Sequence, residues 1–387
     1  MASISRPITE FCLDLYKECN KNTEGTNIVF SPTSISIALA LIQLGARHNS
    51  AAQIEKVSIN ETCGKCCMDG GAHHEAFHEL LLQLQNLDKR YILSLANSLL
   101  IHNLYFNFQQ YLMCAKELYG AMLQIADFQN AVETAREKIN SWVGSETQGK
   151  IKELFAPGVI DSRAVLVLVN VIYFKASWEH KFEEKNTVER DFRLNQNESK
   201  PVQMMYQKGK FKFGYIEEIG AQILELPYAQ KSLSMILLLP DDMAGGSTSG
   251  LEQIERAMTY EKLVLWTSSE CMSEEAVDVY LPRFKLEGSF DLRLFLQEMG
   301  MTDVFLESKA DLSAMSFSKT LFLSKVFHKT YVEVSEEGTI AAGATGAVIV
   351  RRSLPLTEVF MADHPFLFFI RHNPTNTILF SGKLCSP

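Results

Sequence analysis

The sequence predicts an α+β fold built as one large domain. Helix-type spacing of apolar residues dominates roughly the first 150 residues, and strand-type runs dominate from Ala164 onward. No linker rich in Pro, Gly or Ser separates two halves, since the glycine- and serine-rich run at 241–250 has the length of a loop. The length of 387 residues, which alone would allow two or three domains, therefore fits a single unit better.

The N-terminal part is predicted to be mostly helical. Phe11, Leu15 and Cys19 recur at a spacing of four, as on one face of a helix. Ser31 followed by Pro32 predicts a helix start, because Ser caps helix N-termini and Pro is tolerated in the first turn. Ile35, Ala38, Leu39 and Ile42 continue this helix as an apolar stripe. Further helices are predicted at 108–119 and 131–143, after a strand at 91–100.

The C-terminal part is predicted to be mostly β-strand. Apolar and β-branched runs predict strands at 164–175, 203–215, 221–227, 233–239, 277–284, 321–334, 365–371 and 377–383. Short helices are predicted at 250–258 and 290–300. Long strands without regular intervening helices do not match a nucleotide-binding α/β fold.

Composition and charge exclude several classes of protein. Apolar residues make up 47% and charged residues 21%, as in globular proteins and unlike disordered or fibrous chains. The net charge of −9 and the lack of a basic stripe argue against nucleic acid or an anionic membrane as partner. No apolar run reaches the ~18 residues of a membrane helix, and residues 1–18 lack the apolar centre of a signal peptide. We expect a cytoplasmic protein, with secretion without a cleavable signal peptide as a second expectation.

The cysteines and sequons give no strong prediction. Eight cysteines in this length favour reduced thiols over a disulfide framework. One cysteine cluster precedes three histidines at a spacing that could supply zinc ligands: Cys63, Cys66, Cys67, His73, His74 and His78. The adjacent pair Cys66 and Cys67 suits a surface loop better, so we expect no metal and no cofactor. The glycosylation sequons at Asn60 and Asn197 matter only if the chain leaves the cell.

Catalytic motifs are missing from the sequence. It has no phosphate loop, dinucleotide fingerprint or metalloprotease histidine pair, and Thr248 occupies the position where a nucleophile elbow needs Ser. A fold could still bring a nucleophile and a base together, but nothing in the sequence favours an enzyme.

One segment near the C-terminus, 335–355, has an unusual composition. Residues 338–350 carry no charge and consist of Ala, Gly, Thr, Val and Ile, and the dibasic pair Arg351-Arg352 follows. Read with a period of two, the face that begins at Thr339 carries only small residues until Ile349. Connections of ~20 residues in compact domains are usually functional or disordered. We interpret the segment as a loop that can become a central strand; a flexible linker with an accidental tryptic site is the alternative.

Ordered motifs along the whole chain carry a family resemblance. They are Asn27-Ile28-Val29-Phe30-Ser31-Pro32, residues 168–175 with Trp178 and Phe182, Leu224-Glu225-Leu226-Pro227-Tyr228, Leu281-Pro282-Arg283-Phe284-Lys285, His328-Lys329, residues 336–345, and Asp363-His364-Pro365-Phe366-Leu367-Phe368. In these motifs the chain resembles the serpins, and in particular the ovalbumin-like intracellular group, clade B. The resemblance implies a single serpin domain over 1–387, with about nine helices, three β-sheets and an exposed reactive-centre loop at 336–355.

The resemblance also implies a mechanism. In inhibitory serpins the target protease attacks the loop, forms an acyl-enzyme, and is trapped when the cleaved loop inserts into the main sheet. The motif alignment places the reactive bond at Arg352-Ser353, so Arg352 implies a trypsin-like serine protease and Arg351 a preference for two basic residues. The implied hinge consists of Glu336, Glu337, Gly338, Thr339, Ile340, Ala341, Ala342, Gly343, Ala344 and Thr345. The alternative is a non-inhibitory serpin, with a binding or storage role, whose loop is cleaved without insertion.

The resemblance further assigns a set of residues to sheet opening. The polar cluster beneath the opening strands is Ser31, Ser34, Asn170 and His328, with Trp178 near the point of loop entry. The residue types also fit a purely structural role, with Ser31 as a helix cap and the others as core residues. The two roles are compatible. We expect a monomer that forms loop-sheet polymers under stress.

The hinge departs from the family pattern at Ile340, where Glu is usual. By the period-two alternation, Ile340 points away from the face of Thr339 and so leaves the packed side unchanged. Gly346 adds flexibility that slightly disfavours a strand.

Overall fold

The computed structural model describes residues 4–21, 23, 25–58, 72–102, 109–241, 250–318, 320–337 and 357–387. The α-helices in these ranges are α1 Ser5–Asn20, α2 Pro32–Gly45, α3 His48–Ser58, α4 Ala72–Gln85, α5 Gln109–Tyr119, α6 Val132–Glu146, α7 Glu252–Ala257, α8 Tyr260–Trp266 and α9 Arg293–Glu298. The strands are β1 Ile28–Phe30, β2 Tyr91–His102, β3 Met122–Ala126, β4 Leu166–Ala176, β5 Val188–Arg193, β6 Ser199–Ile216, β7 Ala221–Pro227, β8 Leu233–Pro240, β9 Ser273–Pro282, β10 Phe284–Asp291, β11 Lys325–Val334, β12 Glu358–Met361, β13 Phe366–His372 and β14 Thr377–Leu384.

Helix α2 begins where the sequence predicts and lies at the centre of the molecule. Ser31 caps it, since its Oγ accepts a hydrogen bond from the Ser34 N–H at 3.1 Å, and Pro32 occupies the first turn. All of its residues are buried, and it packs against β14 and β4, one strand from each sheet. The apolar stripe is thus one part of a helix that is apolar on every side because it is enclosed.

The first sheet has five strands in the order β10, β11, β4, β2, β3. The central strand β4 and its neighbour β11 run parallel and pair from Lys325 opposite Val167 to Val332 opposite Phe174. Both faces of β4 are covered, because α6 packs Ile139 and Val143 on the face opposite to α2. This explains why the sequence of β4 is a continuous apolar run interrupted by Asn170.

The second sheet follows the order β1, β14, β13, β8, β7, β6, β9, β12, with β5 also paired to β6. Two of the three expected sheets are joined through the long strand β6. Its N-terminal end pairs with β5, its middle with β9 and its C-terminal end with β7. Within the described residues hydrogen bonding therefore connects the strands into two sheets.

Several predicted elements have different boundaries. The strand expected at 277–284 is two strands, because pairing breaks at Arg283 and β10 takes up the residues before α9. The strand expected at 321–334 begins only at Lys325. Leu321 and Leu323 are buried as the apolar run suggests, but the Leu323 N–H bonds to the Val304 carbonyl instead of joining the ladder.

Candidate functional site

A row of three polar side chains crosses the centre of the five-stranded sheet. His328 on β11 lies opposite Asn170 on β4, and Asn170 lies opposite Asn97 on β2. All three are buried, and His328 has no exposed surface. We call His328, Asn170 and Asn97 the polar row.

Hydrogen bonds connect the polar row to the start of α2. Asn170 donates through Nδ2 to Ser34 Oγ at 2.5 Å and to Asn97 Oδ1 at 2.6 Å, and its Oδ1 lies 2.5 Å from His328 Nδ1. The Ser31 backbone N–H donates to His328 Nε2 at 3.0 Å. The four residues assigned to sheet opening are therefore brought together, with Ser31 serving both as a helix cap and as a partner of His328.

The environment of His328 fixes its protonation. Burial lowers the pKa of His328 to about 3, because a charged imidazole loses its hydration there. The neutral ring donates from Nδ1 to Asn170 and accepts at Nε2 from Ser31, with Thr330 Oγ1 2.5 Å from the same nitrogen. The sequence analysis missed Asn97 and Thr330; an Asn inside the strongly apolar strand β2 was the available signal for the first.

Trp178 lies where β11 ends. Its ring stacks on Tyr228 at 4.4 Å between centroids and 6° between planes, and it meets Phe182 nearly edge-on at 6.1 Å. Its Nε1 donates to the Ser335 carbonyl at 2.9 Å. The side chain is thus both a core residue and a contact of the first residue after β11.

Glu336 is anchored at the same place. Its carboxylate is buried and accepts hydrogen bonds from Thr187 Oγ1 and from Arg283, whose Nε lies 2.5 Å from both carboxylate oxygens. The Glu336 carbonyl accepts from the Phe182 N–H at 3.1 Å. Burial alone would raise the pKa of Glu336, but the hydrogen bonds from Arg283 and Thr187 outweigh it and hold the pKa below its usual value. The sequence analysis gave no role to Thr187 or Arg283.

The rest of the reactive-centre loop lies outside the described residues. These are residues 338–355, which include the assigned positions Gly338, Thr339, Ile340, Ala341, Ala342, Gly343, Ala344, Thr345, Arg351, Arg352 and Ser353. The described chain stops at the exposed Glu337 beside β11, and resumes at Thr357 before β12, which pairs parallel with β9 in the other sheet. The loop therefore connects the end of β11, the second strand of one sheet, to β12, an edge strand of the other.

The candidate metal cluster receives no support from the residues that are described. Cys63, Cys66, Cys67 and Asn60 lie outside them, and no group of three potential metal ligands occurs within them. His74 is buried against Tyr119, and His78 Nδ1 lies 3.0 Å from the Leu118 carbonyl. Asn197, the other sequon, is exposed between β5 and β6.

Among the helices that the structure describes, none is both long and apolar enough to cross a membrane.

Comparison with known proteins establishes the class. Residues 6–387 match the family described as Serpin (serine protease inhibitor), and the chain belongs to this family. Two of the most similar relatives are serpins of clade B. Human Serpin B12 is 47% identical and pig (Sus scrofa) leukocyte elastase inhibitor 48% identical, each alignment covering 100% of both chains. The expectation of an inhibitor of serine proteases, not an enzyme, agrees with the family.

Solved structures confirm the serpin fold. Uncleaved ovalbumin superposes with a TM-score of 0.90 at 39% identity over 100% of both chains. Maspin superposes with a TM-score of 0.89 at 32% identity over 99% of this chain and 98% of its own.

Proposed function

We propose that this serpin inhibits trypsin-like serine proteases as a suicide substrate, with cleavage at Arg352-Ser353 followed by insertion of the loop into the five-stranded sheet. The observation that carries the proposal is the parallel pairing of β11 with β4. A chain that leaves β11 at Val334 and turns back between these strands runs antiparallel to both. Each of its edges then finds a regular hydrogen-bonding partner.

The length and composition of the loop fit this place. Fifteen residues run from Gly338 to Arg352, and at ~3.3 Å per residue they span ~50 Å when extended. The β11 strand is ten residues long, so the inserted segment could pair along all of it. One face of the segment is small from Thr339 to Ala347, which suits the face that would pack against the buried core shared by β4, β11 and α2.

The polar row supplies a way for the sheet to part. The hydrogen bond between His328 and Asn170 crosses from β11 to β4, and it would break when a strand enters between them. Asn170 keeps two partners, Ser34 on α2 and Asn97 on β2. Separating β11 from β4 at this level therefore breaks one buried hydrogen bond, the one between His328 and Asn170. The Asn170 side chain stays hydrogen-bonded.

Arg352 supports the choice of target. A guanidinium matches the acidic primary pocket of a trypsin-like protease through a bidentate contact. The relatives called leukocyte elastase inhibitor are named for an elastase, and Arg352 is our reason for proposing a different protease class here. As part of the same proposal, we place the protein in the cytoplasm. Secretion without a cleavable signal peptide is the second candidate localisation.

A substrate-only serpin is the second candidate, and the flexible Gly346, just after the hinge, favours it because glycine disfavours a strand. Incubation with trypsin separates the two. An inhibitor gives an adduct that survives boiling in detergent and releases a peptide of 387 − 352 = 35 residues that begins with Ser353. Replacing both Arg351 and Arg352 with Ala should abolish both products, because trypsin would otherwise still cleave after Arg351. Cleavage at Arg352-Ser353 without an adduct, while trypsin stays active, would reject inhibition.

A further inference from the structure

We infer that three lysines on one face of β6, together with a neighbouring arginine and tyrosine pair, form a docking surface for an acidic region of the attacking protease. The lysines are Lys208, Lys210 and Lys212, which we call the lysine row. The inference rests on the proposed function, because it assumes attack at Arg352-Ser353.

The lysine row begins next to the reactive loop. Lys208 Nζ lies 3.1 Å from Thr357 Oγ1, the first described residue after the loop. Thr357 is the fifth residue after the reactive bond, so at ~3.4 Å per residue its Cα lies within ~14 Å of that of Ser353 in any loop conformation. A protease of ~220 residues has a radius of gyration of ~17 Å. A protease bound at the reactive bond must therefore lie against or near this surface.

Two of the three lysines in the row have ion-pair partners. Lys208 pairs with Asp278 at 3.2 Å and Lys212 with Glu225 at 3.3 Å. Lys210 is exposed and lies opposite Ala276 on β9, and no ion pair of Lys210 occurs among the residues that the structure describes. Glu274 stands opposite Lys212, at the end of the row away from Thr357. Lys210 is thus an available positive charge near the loop in a chain whose net charge is −9.

The residues beside the lysine row are of the type found at protein interfaces. The rings of Tyr206 and Tyr280 lie 4.9 Å apart, and the Arg190 guanidinium lies 4.7 Å from the centre of the Tyr280 ring. Val359 on β12 pairs with Asp278 and is 47% exposed. Tyr and Arg dominate the binding energy of many interfaces, and charged residues around them raise association rates.

The test uses two trypsins that share specificity for Arg but differ in surface charge, the anionic and the cationic form. The readout is the rate at which intact inhibitor disappears at low ionic strength, because trapping and simple cleavage both start from the same encounter. Lys210→Glu should slow the reaction with anionic trypsin about three- to tenfold and speed it with cationic trypsin. Both effects should shrink at about 0.5 M NaCl, where the Debye length is ~4 Å.

Lys116→Glu is the matched control. Lys116 is an exposed lysine of α5, which packs against α2 and α4, and the charge change is identical. It should leave both rates within twofold of the wild type, and both variants should keep the wild-type thermal midpoint.

The outcomes distinguish this inference from the proposed function. Equal rates for wild type and Lys210→Glu, or an equal slowing with both trypsins, would overturn the docking surface even if the adduct forms. A second outcome is cleavage without an adduct, with Lys210→Glu slowing anionic trypsin and speeding cationic trypsin. It would retain the docking surface and reject inhibition. If neither trypsin attacks the intact chain, both proposals are wrong.

Discussion

His328 lies in the polar row without exposed surface, and burial lowers its pKa to about 3. In the unfolded chain an imidazole has a pKa of ~6.5. Below that pH the unfolded state binds a proton that the folded state does not, so the free energy of unfolding falls as pH decreases from ~6.5 toward 3. His74 and His372, with pKa values lowered to about 3 and about 4 by burial, act in the same direction.

We predict that His328→Gln makes the pH dependence of stability shallower. Between pH 6 and 5 the loss should shrink by up to about 1.4 kcal/mol per pH unit, the contribution of one proton. The variant should also be less stable at pH 7.5, because the Ser31 N–H and the Asn170 Oδ1 lose their hydrogen bonds to the His328 ring. The urea midpoint of the first unfolding transition, measured from pH 7.5 to 5, checks both effects. An unchanged slope would mean that another group takes up the proton.

At the scale of the element, the sequence predicts the enclosed strands best. The strands β7 and β8 match their predicted ranges to within one residue, because both are short, largely apolar runs bounded by turn residues. The seven-residue helix α8 was missed because it is too short to show a helical period.

In the candidate site, the family motifs were sufficient to select Ser31, Ser34, Asn170, His328 and Trp178. Thr187 lies outside these motifs, and Arg283 lies in one of them without a role, since both residues meet Glu336 only through the tertiary fold.

The period-two pattern of the loop gives a prediction with an internal control. Thr339 and Ile340 are adjacent, but in an inserted strand their side chains point to opposite faces. If the Thr339 face packs inward, Thr339→Arg buries an unpaired charge and blocks insertion, so trypsin should cleave the variant without forming an adduct. Ile340→Arg adds the same charge on the other face and should retain most of the adduct. The fraction of trypsin trapped as adduct measures the difference, and equal loss in both variants would contradict the assigned faces.

At the scale of the whole molecule, two anchors hold the loop at its ends. At one end Trp178 and Arg283 bind Ser335 and Glu336 beside β11, and at the other end β12 is paired with β9. Residues 338–350 are uncharged and apolar or small, so their insertion buries apolar surface and pairs backbone groups on both edges. The intact connection to β12 opposes this, because it tethers the far end of the loop to the other sheet. Cleavage at Arg352-Ser353 removes the tether.

Cleavage should therefore raise the thermal stability of this protein. For large domains a change of 1 kcal/mol shifts the midpoint by ~2 °C, so a net gain of only ~5 kcal/mol from the inserted strand corresponds to ~10 °C. We predict a rise of at least about this size when protein cleaved at Arg352-Ser353 is freed of protease adduct and compared with intact protein by circular dichroism during heating. Thr339→Arg, cleaved at the same bond, should show a much smaller rise because its strand cannot pack. A cleaved wild type that melts at the same temperature as the intact protein would show that the loop stays outside the sheet, as in the substrate-only serpin.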